Sequence, residues 1–143
     1  SGLVYVPSLD GKVYALNVKN GTLQRTFSAL AGIYATPALY NDSLIVGALD
    51  KNIYCWNTKT GEQVWVHPTQ GRIFASPVIY NDRVYLGSND GRLRVLNPDT
   101  GQLLGDILLA ERIVNQIQID IAKIYVPTQA CQLLAFEEKP YLE

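Results

Sequence analysis

The sequence contains no methionine, one histidine and two cysteines. A single histidine, His67, cannot build a multi-histidine metal centre. Cys55 and Cys131 form no Cys-x-x-Cys, which removes redox and structural-zinc motifs. An excess of one charge is lacking too: 12 Lys and Arg stand against 13 Asp and Glu, a formal net charge of -1. That near-balance argues against nucleic acid as the main partner, because phosphate binding demands a basic surface. No apolar run approaches the roughly 20 residues that a membrane helix needs. No charged-then-apolar start resembles a signal peptide. The chain opens Ser1-Gly2 and, without methionine, is expected to be a processed product or a piece of a longer protein. What it has is apolar substance: 48% hydrophobic and 17% charged residues in 143, the balance of one globular domain.

It also has a repeat. Gly21, Gly61 and Gly101 stand 40 residues apart, as do Asp10, Asp50 and Asp90, and Asn17, Asn57 and Asn97. Tyr5, Ile45, Tyr85 and Tyr125 form an apolar column, and so do Leu16, Trp56, Leu96 and Phe136. Asn41-Asp42 and Asn81-Asp82 pair off at the same spacing, and the alignment needs no gaps. Within one unit the alternation predicts strands over 73–80, 83–88, 92–97 and 102–108. Asn-Asp and Asp-Gly steps between them are two-residue hairpin signals, because these residues tolerate positive φ. Thr60-Gly61 and Thr100-Gly101 suit longer loops with a left-handed glycine. The pattern blurs over 104–114, which leaves a helical turn open there. Four-stranded antiparallel units of about 40 residues in tandem are the blades of a β-propeller. The aromatic columns then serve packing between blades.

The run Cys55-Trp56-Asn57-Thr58-Lys59-Thr60-Gly61-Glu62-Gln63-Val64-Trp65 resembles the tryptophan-docking motif of pyrroloquinoline-quinone (PQQ)-type propeller repeats. Leu86-Gly87-Ser88-Asn89-Asp90-Gly91 is similar to the strand and turn that precede that motif in the family. The likeness departs in places. Arg25 and Gly105 hold the position of the docking Trp65, Asn stands for the usual Asp at Asn17, Asn57 and Asn97, and Gln129-Ala130-Cys131 replaces Asp-Gly. These departures suggest looser blade joints and a lost fourth turn. The resemblance implies an all-β propeller fold rather than one chemistry, since the repeat occurs in quinone-dependent dehydrogenases, in an outer-membrane assembly lipoprotein and beside acyl-activating enzymes. It slightly favours the cell envelope or periplasm.

The expected fold is thus all-β, a single domain over 1–143. It is a propeller segment of about three and a half four-stranded blades, near 1–30, 31–70, 71–110 and 111–143, with about fourteen strands. Such a segment leaves an apolar face bare at each end. The first is expected around Tyr5, Tyr14 and Leu16, the second around Tyr125, Leu134 and Phe136. Bare faces invite self-association or a protein partner. Glu137-Glu138-Lys139-Pro140 reads as a charged linker.

Catalytic material is thin. Asp10, Asp50 and Asp90 are expected as turn residues rather than a cation-binding ring. His67, before Pro68, is expected on a surface loop. Cys55 and Cys131 fall two blades apart, too far for a disulfide. Asn20-Gly21-Thr22 and Asn41-Asp42-Ser43 match the glycan acceptor pattern but read as turns. Arg72, Arg83, Arg92, Arg94 and Arg112 bunch together, with Arg92 and Arg94 on one face of a strand; a solvated outer face is expected, with a patch for an acidic partner as the alternative. A quinone would need an aromatic floor, a calcium ion held by several oxygens and a base. No such set can be named, so no catalytic, cofactor or metal residue is assigned. The expected function is a non-catalytic binding or scaffold propeller within a larger protein or assembly, which meets protein or peptide partners through its blade loops. The alternatives are a fragment of a PQQ-dependent oxidoreductase and an accessory propeller of an acyl-activating enzyme.

Overall fold

The computed structural model describes residues 2–121 and 123–137. Short runs of β-branched and aromatic residues, cut by Gly, Asn and Asp, fold into fourteen strands among these residues. Sheet 1 holds β1 (Leu3–Pro7), β2 (Lys12–Asn17) and β3 (Leu23–Ser28). Sheet 2 holds β4 (Ala38–Tyr40), β5 (Ser43–Gly47), β6 (Asn52–Asn57) and β7 (Gln63–Pro68). Sheet 3 holds β8 (Val78–Tyr80), β9 (Arg83–Gly87), β10 (Arg92–Leu96) and β11 (Leu103–Leu108). Sheet 4 holds β12 (Gln118–Asp120), β13 (Lys123–Pro127) and β14 (Leu133–Glu137). Each sheet is an antiparallel meander, a propeller blade.

The turns follow their residues. Asn81 and Asp82 both adopt positive φ, 46° and 53°, as a two-residue hairpin requires. The fourth turn, expected to be lost, is kept. Cys131 takes φ 60° in place of glycine, and Thr128 N–H donates to the Gln132 carbonyl at 2.9 Å. The strand expected over 73–80 is confined to Val78–Tyr80. Ahead of it the chain crosses between sheets, with Ile73 N–H donating to the Ala48 carbonyl and Ile73 and Ala75 buried. Strand β11 ends at Leu108, and no helix follows among the described residues. Glu137 closes β14 rather than opening a linker, and the rest of that expected linker lies outside the described residues.

Each of three apolar clusters fills the joint between neighbouring sheets. Phe27 of sheet 1 meets Leu44, Val46 and Trp56 of sheet 2. Ile45, Cys55 and Trp65 meet Val84, Leu86 and Leu96 of sheet 3. Tyr85 and Leu93 meet Ile124 and Val126 of sheet 4. An inner sheet therefore buries both faces.

The bare end faces carry Tyr14, Leu16 and Tyr125 as expected, but Tyr5, Leu134 and Phe136 are off by one residue of parity and lie in the joints. Tyr5 lies opposite Ala15 and packs into the first joint beside Phe27. The outer face of sheet 1 carries Val4 and Val6, 45% and 40% exposed, opposite Leu16 and Tyr14. At the other end Leu134 and Phe136 pack into the third joint, and Tyr125 with Ala135 faces outward.

Candidate functional site

The three repeated aspartates each close a hairpin turn. Asp10, Asp50 and Asp90 accept the N–H of Lys12, Asn52 and Arg92, all at 3.0 Å. Their other oxygen binds the side chain four residues on: the Tyr14 hydroxyl at 2.5 Å, the Tyr54 hydroxyl at 2.6 Å and the Arg94 guanidinium at 2.5 Å. That oxygen of Asp50 and Asp90 also accepts the N–H of Leu30 and Gln70, where the preceding sheet ends. Turn chemistry, expected to explain these carboxylates in full, is therefore half of their role. Asp50 and Asp90 also tie their sheets to the one before. In the fourth repeat both members change together, to Ala130 and Leu134.

Arg94 is not on a solvated face. It is 6% exposed and ion-paired with Asp90 inside the second joint. Burial pushes the Asp90 carboxyl up, but hydrogen bonds from Arg94, Ser88, Arg92 and Gln70 outweigh it and hold the group well below the usual carboxylate range. Arg92 pairs with Asp106 at the surface. His67 is likewise not a loop residue. It lies half-buried on β7, with Nδ1 donating to the Gly101 carbonyl at 3.1 Å across the second joint. Burial lowers its pKa, and Arg94 adds to that. Cys55 is buried, its thiol pushed up to about 11 by desolvation, and Cys131 is exposed. Both glycan-pattern asparagines sit in turns. Asn41 has φ 50°, and Asn20 Oδ1 accepts the Thr22 hydroxyl at 2.8 Å.

The first two joints are docked, not loose, whereas the third has Gly105 at the docking position with nothing within 4 Å of where its side chain would project. Trp65 Nε1 donates to the Pro98 carbonyl at 2.8 Å. At the equivalent place Arg25 donates to the Thr60 and Lys59 carbonyls at 2.6 and 2.7 Å, so a guanidinium does the work of the indole. Asn57 and Asn97 accept the turn N–H groups of Lys59 and Asp99 as an aspartate would. The matching turn of sheet 1 has the same geometry, with Gly21 at φ 69° and its N–H bonded to the Asn17 carbonyl. Nothing lies within 4 Å of where a Gly21 side chain would project.

Where the crossing segments meet the hairpin turns, the chain encloses an open cleft of about 490 Å³. One side is aromatic: Tyr34 and Phe74 meet edge to face at 5.7 Å, and Tyr34 is 64% exposed. The other is polar, lined by Asn89, Arg112, Asn115 and Gln129, with Val114 between. The repeat shows how the cleft arose. Leu9 and Leu49 correspond to Asn89 and Gln129, Ala35 and Ala75 to Asn115, and Gly32 to Arg72 and Arg112. Sequence reasoning singled out Arg112 among the bunched arginines but missed the rest of this group, although the apolar-to-polar change in the Asn89, Gln129 and Asn115 columns was present in it.

A family model described as outer membrane protein assembly factor BamB matches residues 1–130. The chain belongs to this PQQ-like β-propeller repeat family. No curated protein matches it. BamB from Moraxella catarrhalis superposes on this family member with a TM-score of 0.85 at 22% identity, over 96% of this chain and 43% of that one. The computationally designed Ika8 protein gives 0.85 at 21% identity, over 96% and 43%. The designed Ika4 protein gives 0.84 at 21% identity, over 96% and 86%. The chain thus spans less than half of BamB and of Ika8. A PQQ-like repeat does not by itself provide for the quinone. Among the described residues no three His, Cys, Asp or Glu side chains gather as a cation site, and the repeated aspartates are engaged in separate turns. Tyr54 stacks parallel on Trp56 at 5.1 Å, buried inside the first joint.

Proposed function

We propose that this PQQ-like propeller segment is a non-catalytic binding domain that holds a protein partner at the cleft beside Tyr34. The observation that carries the reading is the contrast between two sets of side chains. The acid–base groups drawn into the joints are spent on holding sheets together: Asp50 on Tyr54, Asp90 on Arg94, His67 on Gly101. The cleft, in contrast, presents an exposed aromatic pair beside polar groups on crossing segments and turns, where variation costs the sheets little. Interfaces favour such aromatic and arginine side chains over aliphatic ones. The BamB likeness is consistent with a scaffold role in an assembly, because BamB is described as an assembly factor.

Site-specific photocrosslinking in cells tests this. A benzophenone side chain at position 34 is expected to yield a discrete protein adduct, and one at Val64, exposed on β7, none. Identical adducts from both positions overturn the proposal. So does turnover by the purified chain that a single polar substitution abolishes.

A further inference from the structure

We infer that the cleft recognises an acidic peptide segment in which a carboxylate lies next to an aromatic or large aliphatic side chain. This rests on the binding reading above and gives the partner its chemistry. Three unmet groups on the cleft wall define the ligand. The first is the pair of exposed amides Asn115 and Gln129, each of which can donate to and accept from a peptide backbone. The second is Arg112. Arg25, Arg92 and Arg94 are all engaged, on turn carbonyls, Asp106 and Asp90 respectively. Arg112 is exposed at the cleft, and among the described residues no carboxylate pairs with it. A guanidinium presents a planar fork of donors that suits a carboxylate held bidentately. The third is the Tyr34–Phe74 pair, whose outer ring stands largely in solvent. An exposed aromatic edge beside a polar wall is satisfied by an apolar side chain from the ligand.

The arrangement selects against other classes. One cation among amides, on a chain of net charge -1, is too little for nucleic acid. A small apolar ligand would leave Asn115, Gln129 and Arg112 unmet. A peptide meets all three groups at once: backbone amides to Asn115 and Gln129, carboxylate to Arg112, and ring or branched side chain against Tyr34. The cleft lies within the roughly 300–1,000 Å³ range of ligand sites.

The test uses the isotopically labelled chain and three capped peptides, Gly-Phe-Asp-Gly and its Asn and Lys counterparts, titrated to millimolar concentration by NMR. The side-chain amide signals of Asn89, Asn115 and Gln129 report the cleft directly. The acidic peptide is expected to shift them and to bind about tenfold more tightly than the Asn form, the worth of one charge-assisted hydrogen bond. Arg112→Gln is expected to abolish that preference without moving the thermal midpoint, and Tyr34→Ala to weaken both peptides alike. Equal binding of the Asp and Lys peptides overturns the inference, as does a preference for Asp that survives Arg112→Gln. No shift with any peptide overturns it too. If position 34 still crosslinks a protein in cells in that case, the binding function stands and only the acidic-peptide chemistry falls.

Discussion

Trp65 lies against Gly101, and a β-carbon on Gly101 would sit 2.6 Å from the indole ring. The glycine is thus required twice, by its φ of 71° and by the ring that covers it. Gly21 has the same conformation with open space above it. The pair separates the two costs. Gly21→Ala is expected to lose about 1–2 kcal/mol, the left-handed penalty alone. Gly101→Ala is expected to lose a further ~1–3 kcal/mol from overpacking. Urea unfolding of both variants measures the difference, and equal losses would show that the indole does not hold this joint. Gly61→Val belongs between them, since a side chain there meets the flexible end of Arg25.

The second joint contains a charge pair where the first uses a tyrosine. Arg94→Leu leaves the buried Asp90 without its cation and is expected to cost about 3–5 kcal/mol. Arg94→Tyr recreates the Asp50–Tyr54 arrangement and is expected to stay within about 1.5 kcal/mol of the parent. Asp90 also sets an acid dependence. Its folded pKa lies below the unfolded value of about 3.9, so its stabilisation is complete above that pH and is lost as the pH falls toward the folded value. Chemical denaturation at pH 5 and pH 3 should show a loss in the parent that Asp90→Asn lacks. A parallel loss in both would rule Asp90 out as its source.

How much of this was legible in the sequence depends on what repeats. The 40-residue spacing of Gly, Asn and Asp placed the turns and the strands between them, because turn chemistry is local and identical residues impose identical turns. Which way each strand faces was not legible. An inner sheet buries both faces, so its strands are apolar throughout and hydrophobic alternation carries no parity. Tyr5 and Phe136 were therefore assigned to bare faces, and the structure puts both in joints. Arg94 was misread because a charge alone suggests solvent. The signal that corrects it is the offset of four in Asp10–Tyr14, Asp50–Tyr54 and Asp90–Arg94, lost as a pair at Ala130 and Leu134. The cleft is not legible because its residues vary between repeats, and a residue that changes down a column carries no shared turn or packing signal.

His67 gives the second joint a dependence near neutrality. Burial disfavours the imidazolium in the folded chain, so the folded pKa lies below the unfolded value of about 6.5. The stabilisation is complete above that value and falls as the pH drops through it. Denaturation midpoints at pH 7.5 and pH 5.5, a window above the range of Asp90, are expected to differ in the parent and to converge in His67→Gln. An unchanged pH slope in the variant would place the titration elsewhere.

The last prediction concerns the two end faces. In the inner joints the counterparts of Val4 are Leu44, Val84 and Ile124, and those of Val6 are Val46, Leu86 and Val126, every one of them buried. Val4 and Val6 stand exposed beside Tyr14 and Leu16, next to the uncovered Gly21 turn. At the far end Tyr125, Ala135 and Leu133 form the complementary kind of face, the one that sheets 1 to 3 each present to the next sheet. Each apolar side chain buried there contributes about 1.5–3 kcal/mol, so first face against last face is the contact the fold favours. Such a contact is heterologous. It closes into a ring if the rotation allows and grows as open chains if it does not. The isolated 15.9 kDa chain is therefore expected to associate at micromolar concentration in sedimentation, and Val4→Glu with Val6→Glu is expected to return it to monomer without unfolding it. A parent chain that stays monomeric at every concentration, with no surface open to an apolar dye, would mean that these valines are covered in a way the inner joints do not reveal.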